Sequence, residues 1–140
     1  LVAFGANCGI GAADLLGALL AMVKQLDNAD ILVAKANCGI PAYVDGRIQY
    51  SGTPKLMAEY ACLALNAGAR IIGGCCGTTP NHLLAMRLAL ENHQKNDMPD
   101  IDTVVEVLGP MTEGTRARCL DIHDSTETRP VRKGRRRRDH

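Results

Sequence analysis

The sequence predicts an α/β protein built on a parallel sheet. Three observations support this: the apolar runs have strand length, each ends at small polar residues, and each precedes a segment with helical spacing of apolar residues. A chain of 140 residues is the size of one modest domain, and its 46% hydrophobic and 22% charged content is ordinary for a protein that buries a core. Because the strands are apolar throughout, we expect both faces of the sheet to be covered.

The first strand-helix unit opens the chain. Its strand runs from Val2 to Ala6, and the triplet Asn-Cys-Gly follows at positions 7–9. Apolar residues then recur at i, i+3 and i+4 intervals from Leu15 to Leu26, which predicts an amphipathic helix.

The second unit repeats this order. Its strand runs from Ile31 to Ala36, a second Asn-Cys-Gly triplet lies at 37–39, and we expect a long loop through Tyr50. Thr53 and Pro54 form a typical N-cap and first helical residue, so a helix is predicted to begin there and to stop at Gly68.

The third unit contains the densest pattern of small residues. After the strand Ala69 to Ile72 comes Gly-Gly-Cys-Cys-Gly at 73–77, and Thr79 with Pro80 opens another helix. A short amphipathic segment from Asp102 to Leu108 is expected to pack on the outside.

Charge is distributed unevenly along the chain. Residues 113–140 carry nine Lys or Arg against five Asp or Glu, whereas residues 1–112 carry seven against ten. We therefore predict a folded domain over 1–109 and a disordered basic tail over 110–140, with order ending near Gly109 and Pro110. The tail has no aromatic residues that could stack on bases and no recognisable element that would contact base edges. A solubilising role is therefore favoured over nucleic-acid binding.

The chain has no features of a membrane or secreted protein. No apolar run approaches the roughly 18 residues that span a bilayer, and the amino end does not have the pattern of a secretory signal. We expect a cytoplasmic protein without a membrane partner. In that compartment the six cysteines should be reduced thiols or metal ligands, and the neighbours Cys75 and Cys76 would bridge only with strain.

Cysteines recur at the same level of the three units, just after each strand. In such folds the carboxyl ends of the parallel strands lie at one edge of the sheet, and active sites are found there. The thiols of Cys8, Cys75 and Cys76 are therefore expected to converge at that edge. Three thiolates suit Zn²⁺, which takes four ligands, so the fourth position would be open to water or substrate. An open position is typical of a catalytic metal site.

The other cysteines have different interpretations. Cys38 lies at the corresponding level of the middle strand and is an alternative fourth ligand, which would close the site and make it structural. Cys8 taken alone would be a small buried apolar residue, and core packing is also the default for Cys62 in the second helix. Cys119 is interpreted as a spare thiol in the tail.

Two stretches resemble the zinc-binding signature of the homocysteine S-methyltransferase family. They are Asn7-Cys8 after one strand and Gly73 to Pro80, which contains the Cys pair and the Thr-Pro helix start. Family members fold as (β/α)₈ TIM barrels. The resemblance implies that residues 1–109 are the C-terminal part of such a barrel, strands six to eight, with the loop 37–41 after the seventh strand. The sequence is most similar to the bacterial betaine-homocysteine methyltransferase branch.

The resemblance implies a methyltransferase that forms methionine. A methyl group would pass to the thiol of homocysteine, with Cys8, Cys75 and Cys76 holding Zn²⁺. Zinc deprotonates a coordinated thiol, which is only a few per cent thiolate at pH 7 when free. Asn7 and Asn37 are candidates to orient the site by hydrogen bonding.

The expected partners are homocysteine, a small methyl donor and the rest of the barrel. A full barrel needs about 250 residues, so we expect this chain to be a fragment of a longer one and inactive alone, with open sheet edges that favour homo-oligomers. The donor stays open between betaine, S-methylmethionine and a methyl-folate or corrinoid. A quaternary ammonium donor would need an aromatic cage, and the chain has one Phe, three Tyr and no Trp.

Two alternative functions fit parts of the sequence. Glycine-rich loops and helix starts at Thr53 and Thr79 are also typical of a phosphate-binding βα-barrel enzyme, which would not need thiols. A non-catalytic zinc module with a nucleic-acid-contacting basic tail would use the cysteines only structurally.

Overall fold

A computed structural model describes residues 2–24 and 31–124 of the chain. These residues form a mixed α/β structure with five helices, a parallel sheet and a hairpin. No helix in these two ranges is long and apolar enough to cross a membrane. The elements in chain order are β1 Ala3–Cys8, α1 Ala12–Val23, β2 Ile31–Ala36, β3 Pro41–Val44, β4 Arg47–Tyr50, α2 Pro54–Asn66, β5 Ala69–Gly74, α3 Pro80–Asn92, α4 Ile101–Leu108 and α5 Glu113–Asp124.

The parallel sheet has the order β1-β2-β5. In its register Cys8 pairs with Ala36 and Ala36 with Gly74, so the three strands end at the same level. The loops that follow the strands therefore start side by side at one edge of the sheet. This confirms the predicted parallel sheet; β1 and β5 each run two residues further than the sequence predicts.

Helix starts follow the predicted capping residues. The Thr53 side chain accepts a hydrogen bond from the Leu56 amide at 3.1 Å, and Thr79 occupies the same N-cap position before Pro80. The end of α1 at Val23 leaves the predicted extension to Leu26 outside the described residues.

One face of the sheet carries the core. Leu32, Ala34 and Ala36 of β2 are buried and belong to one cluster with α1 and α2. On the opposite face Lys35 is exposed, and Ile71, the β5 partner of Val33, is 48% exposed. The expectation that both faces are covered is therefore wrong for the described residues.

The segment expected to be a long loop before Tyr50 contains the antiparallel hairpin β3–β4. Its two-residue turn has positive φ at both central positions, 49° at Asp45 and 77° at Gly46. Asp-Gly is a preferred pair for this type I′ turn, since glycine adopts the second conformation at no steric cost. The dipeptide is thus the sequence signal from which the hairpin could have been predicted.

Residues beyond Gly109 differ from the expected disordered tail. Helix α5 packs on α1, and its N-terminus is held by Asp14, whose carboxylate accepts hydrogen bonds from the Thr112 amide at 3.2 Å and the Thr115 hydroxyl at 2.7 Å. Cys119 is buried and its thiol donates to the Gly17 carbonyl at 3.3 Å. Order therefore extends at least to residue 124, and residues 125–140 of the predicted tail lie outside the described ranges.

Replacement of Asp14 by Ala should loosen α5 without unfolding the sheet. The change removes the acceptor for Thr112 and Thr115, and hydrogen bonds to a charged group contribute about 1.5–3 kcal/mol each. We expect faster amide hydrogen exchange in residues 113–124 and a lower urea midpoint. Asp102→Ala is the control, because its ion pair with Arg116 is exposed and should contribute less than about 1 kcal/mol. Equal exchange rates in the two variants would contradict this role of Asp14.

Candidate metal centre

Three cysteines converge at the edge where the parallel strands end. The sulfur atoms of Cys8, Cys75 and Cys76 all lie within 4.8 Å of one another. The Cys8 and Cys76 sulfurs are 3.8 Å apart, and those of Cys75 and Cys76 are 3.9 Å apart. This is the convergence that the spacing of the three units predicts.

Backbone geometry brings the sulfurs together. Cys8 has a φ of 71°, a left-handed conformation that costs a non-glycine residue about 1–2 kcal/mol. On the other side, the Cys75 amide donates to the Ala36 carbonyl at 2.7 Å and the Cys38 amide donates to the Cys76 carbonyl at 2.9 Å. These two bonds continue the β2–β5 pairing into the loops, so the cysteine pair is fixed against the end of β2.

Asn37 connects the two cysteine loops. Its side chain is 3% exposed, its amide nitrogen donates to the Gly9 carbonyl, and its amide oxygen accepts from the Cys76 backbone N–H at 3.3 Å. One side chain thus bonds to the residue after Cys8 and to Cys76 itself. Asn37 therefore contacts both cysteine loops, and its orienting role stays a prediction.

Asn7 is arranged differently from Asn37. It is exposed at the end of β1, and its side chain forms no hydrogen bond with any part of the chain that the structure describes. Its place beside Cys8 is as predicted, but its orienting role stays a prediction.

The remaining cysteines lie outside the cluster. Cys38 is buried, and its thiol donates to the Gly52 carbonyl at 3.2 Å instead of joining the three sulfurs. Burial raises the pKa of Cys38, and also of Cys62 in α2 and Cys119 in α5, so these thiols stay neutral. The arrangement therefore favours a three-cysteine site over the closed four-cysteine alternative.

The pKa values of two clustered thiols, Cys8 and Cys75, are shifted in opposite directions. Hydrogen bonding from the Gly9 backbone, then from the Cys76 and Cys75 thiols, lowers the pKa of Cys8. Burial, with the neighbouring Cys8 and Cys76 side chains, raises the pKa of Cys75. The cluster therefore favours the thiolate form at Cys8 and the neutral form at Cys75. A cation held between the sulfurs would favour the thiolate form of the cysteines that bind it.

The donor set and spacing fit Zn²⁺. At a zinc–sulfur distance of about 2.3 Å, tetrahedral angles place two sulfur ligands about 3.8 Å apart. The two shorter sulfur separations, 3.8 and 3.9 Å, agree with that value. Three thiols are also the soft ligands that zinc accepts in proteins.

The surface beside the cluster is concave. A cleft of about 240 Å³ is lined by Cys8 together with residues of β1, α1 and α5. A larger cleft of about 1080 Å³ lies against α2 and α3 and contains none of the three clustered cysteines. The smaller cleft is the one relevant to the centre, because it is lined by one of the clustered cysteines and the larger cleft is not.

Tyr50 is a residue near the centre that the sequence interpretation does not assign. It ends β4, and its side chain lies against the backbone of Gly77, the residue after Cys76. The Asp45-Gly46 turn signal, which predicts a hairpin and so returns Tyr50 toward the sheet, could have identified it.

Replacement of Asn37 by Asp should damage the centre more than the same change at Asn7. A carboxylate at 37 can still accept from Cys76 but repels the Gly9 carbonyl, and leaving buried polar groups unpaired costs about 1–3 kcal/mol. We expect a lower melting temperature and weaker metal binding by 10–100-fold, the usual effect of losing a group that orients ligands. Asn7→Asp is the matched control. Similar losses in both variants, measured by thermal melts and chelator competition, would contradict the bridging role.

A comparison with known families agrees with this geometry. Residues 1–90, which contain β1 to β5, most of α3 and all three clustered cysteines, match the family described as homocysteine S-methyltransferase. The match covers well over half of the chain, and it confirms the resemblance noted from the two cysteine motifs. The chain belongs to the homocysteine S-methyltransferase family.

Proposed function

We propose that this chain is part of a zinc-dependent enzyme that transfers a methyl group to the thiol of homocysteine and so forms methionine. The observation that carries the proposal is the convergence of the Cys8, Cys75 and Cys76 sulfurs at the carboxyl edge of a parallel sheet. Membership of the family supports methyl transfer in general. The identities of the metal as Zn²⁺, of the methyl acceptor as homocysteine and of the product as methionine are proposed.

The three cysteines would hold Zn²⁺ and leave its fourth position for the substrate sulfur. Zinc bound there would supply a thiolate at neutral pH, where free thiols with a pKa near 8.5 are mostly protonated. Three ligand thiolates already outweigh the charge of the ion, which keeps electron density on the incoming sulfur. Cys76 is the exposed member of the trio, so the substrate sulfur would be able to approach the cluster from the side of Cys76.

Asn37 would keep the ligands at the spacing that the ion needs. Its two hydrogen bonds fix Cys76 relative to Gly9, and thereby relative to Cys8. Pre-positioned ligands bind metal more tightly because fewer conformations must be given up on binding. Asn7, exposed beside Cys8, is proposed to contact substrate.

We further propose that the three units are strands six to eight of a (β/α)₈ barrel whose other strands belong to a longer chain. The exposed sheet face with Lys35 and Ile71 supports this, because inward faces of barrel strands are filled by side chains of the other strands. Groups that grip the amino acid part of homocysteine and select the methyl donor would come from that remainder.

Metal content with a sulfur-coordination spectrum tests the proposal. We expect one zinc per chain bound by three sulfurs, and four sulfurs after homocysteine is added. Alanine at Cys8, Cys75 or Cys76 should abolish binding, whereas Cys62→Ala, in α2 and away from the cluster, should retain it. Zinc retained by all three cluster variants, or an unchanged sulfur count with homocysteine, would refute the proposal.

Metal affinity should fall as the pH is lowered. The protein thiols must lose protons before they coordinate, and the pKa of Cys75 is raised by burial and its neighbours, so its proton is present at neutral pH without metal. Each displaced proton weakens the apparent affinity roughly tenfold per pH unit below the thiol pKa. Chelator competition between pH 8 and pH 6 measures this slope. A flat profile would exclude thiolate ligation.

A further inference from the structure

His82 lies in the first turn of α3 and contacts two separate parts of the chain. Its side chain is buried, with the residue only 9% exposed. Nδ1 lies 3.1 Å from the Thr79 amide nitrogen and 2.7 Å from the Thr79 hydroxyl oxygen, and Nε2 lies 3.2 Å from the Gly52 carbonyl oxygen. His82 therefore connects the start of α3 with the short link between β4 and α2.

The partners of His82 determine which of its nitrogens carries the proton. An amide N–H only donates, so Nδ1 accepts the hydrogen bond from Thr79. A carbonyl oxygen only accepts, so Nε2 carries the proton and donates it to Gly52. The neutral imidazole thus uses its acceptor and its donor at the same time, each toward a different part of the chain.

Gly52 is in turn bonded twice to Cys38, which follows β2. The Gly52 amide donates to the Cys38 carbonyl at 3.1 Å, and the Cys38 thiol donates to the Gly52 carbonyl at 3.2 Å. A Cβ at Gly52 would lie 2.5 Å from the carbonyl carbon of Cys38, so only glycine allows the two backbones to come this close. One carbonyl oxygen therefore accepts from two buried groups, an imidazole and a thiol.

Cys38 also connects this contact to the cysteine cluster. Its amide donates to the Cys76 carbonyl at 2.9 Å. Three residues further along the chain is Thr79, whose amide donates to His82. The segment from Cys76 to Thr79 is therefore held at both ends, and Gly52 links the two attachments into a closed ring of hydrogen bonds.

The segment inside this ring needs such support. The residue after Cys76 is Gly77, which has a φ of 75°, and glycine loses more conformational freedom on folding than any other residue. Cys76 is also the exposed member of the cluster, so its side chain has few packing contacts that could fix it. The position of this sulfur therefore depends on contacts that hold its backbone from outside.

We propose that His82 is a positioning residue of the metal centre that fixes the backbone of Cys76. Its Nε2–H holds the Gly52 carbonyl, and Gly52 holds Cys38, which is bonded to Cys76. The inference rests on the proposed function, in which Cys76 is a metal ligand. A ligand held near its final position binds metal more tightly, because less conformational freedom is lost on binding.

Two substitutions separate the donor of His82 from its acceptor. In His82→Asn the side-chain oxygen can reach the place of Nδ1 and accept from Thr79, but the donor toward Gly52 is lost. In His82→Gln the longer side chain brings an N–H to the place of Nε2 and keeps that donor. His93→Asn is the matched control, because His93 is the C-cap of the same helix and bonds to Asn66, outside the cysteine cluster.

Cobalt(II) titration measures metal affinity, and sulfur-to-metal charge-transfer absorption reports the sulfur ligands. We expect His82→Asn to bind cobalt(II) about threefold to tenfold more weakly, a smaller loss than for a group bonded directly to a ligand, with a weaker charge-transfer band. His82→Gln and His93→Asn should bind as wild type. Wild-type affinity in His82→Asn, or an equal loss in His93→Asn, would overturn the proposal. An equal loss in His82→Gln would overturn the role of the Nε2 donor.

Thermal melts distinguish positioning from stability. His82→Asn and His93→Asn each remove one hydrogen bond, so we expect similar small decreases in melting temperature in the two variants. Only His82→Asn should also lose metal affinity. A loss of affinity that follows the melting temperature across all three variants would show a purely structural role and overturn the proposal.

Amide hydrogen exchange in the metal-free chain tests the same ring without metal. The amides of Cys38 and Gly52 both donate within it, so we expect them to exchange about twofold to tenfold faster in His82→Asn than in His82→Gln. Equal exchange rates at both amides would overturn the proposal. Failure of the wild-type chain to bind Zn²⁺ or cobalt(II) would refute the proposed function instead, and the exchange rates would still decide the role of His82.

Discussion

The side-chain amide of Asn37 is the contact on which the rest of the centre depends. Parallel strands bring their ends to one level, but the loops after β1 and β5 are separated by the whole width of β2. Asn37 spans that gap because an amide has a donor and an acceptor, and both are used in a buried position. Aspartate has no donor, and glutamine would need a longer path, so asparagine is the residue type that this spacing selects.

The cysteine cluster combines an unusual backbone conformation at Cys8 with opposite pKa shifts at Cys8 and Cys75. Cys8 adopts a left-handed backbone conformation, and its pKa is lowered while that of Cys75 is raised. Cys76 is exposed, and Cys8 and Cys75 are only half-buried, so the cluster lies at the surface of the described chain and outside its core. A cation held between the sulfurs would stabilise their thiolate forms by neutralising their charge.

Much of the fold could be predicted because its signals are local. Thr-Pro pairs mark the starts of α2 and α3, and short apolar runs followed by Asn-Cys or Gly-Cys mark the strand ends. Helix α5 was not predicted, because its own sequence is weakly apolar and its position depends on Asp14 and Gly17, which lie 98 and 102 residues from their partners Thr112 and Cys119. The basic residues that follow also give residues 113–140 the composition of a disordered tail, so a boundary drawn from composition assigns the helix to the tail.

The convergence of the three cysteines could be predicted from the sequence, whereas the residues around them could be predicted less well. Each cysteine follows a strand, and parallel register alone brings such positions together. By contrast, Asn7 and Asn37 occupy similar places in sequence, and only the three-dimensional arrangement gives Asn37 two partners and leaves Asn7 exposed. Tyr50 depends on a hairpin register that one Asp-Gly pair sets, so a single missed turn also hides the residue beside Cys76.

The hairpin β3–β4 has one practical consequence. Its base is bonded to the loops of the centre, whereas Asp45 and Gly46 at its tip are exposed. Exposed tight turns of this kind tolerate inserted residues. A fluorophore or short epitope attached at the tip would therefore leave the sulfurs undisturbed, yet it would sit on the hairpin whose Tyr50 lies against Gly77, next to Cys76, and so provide an optical probe of that loop.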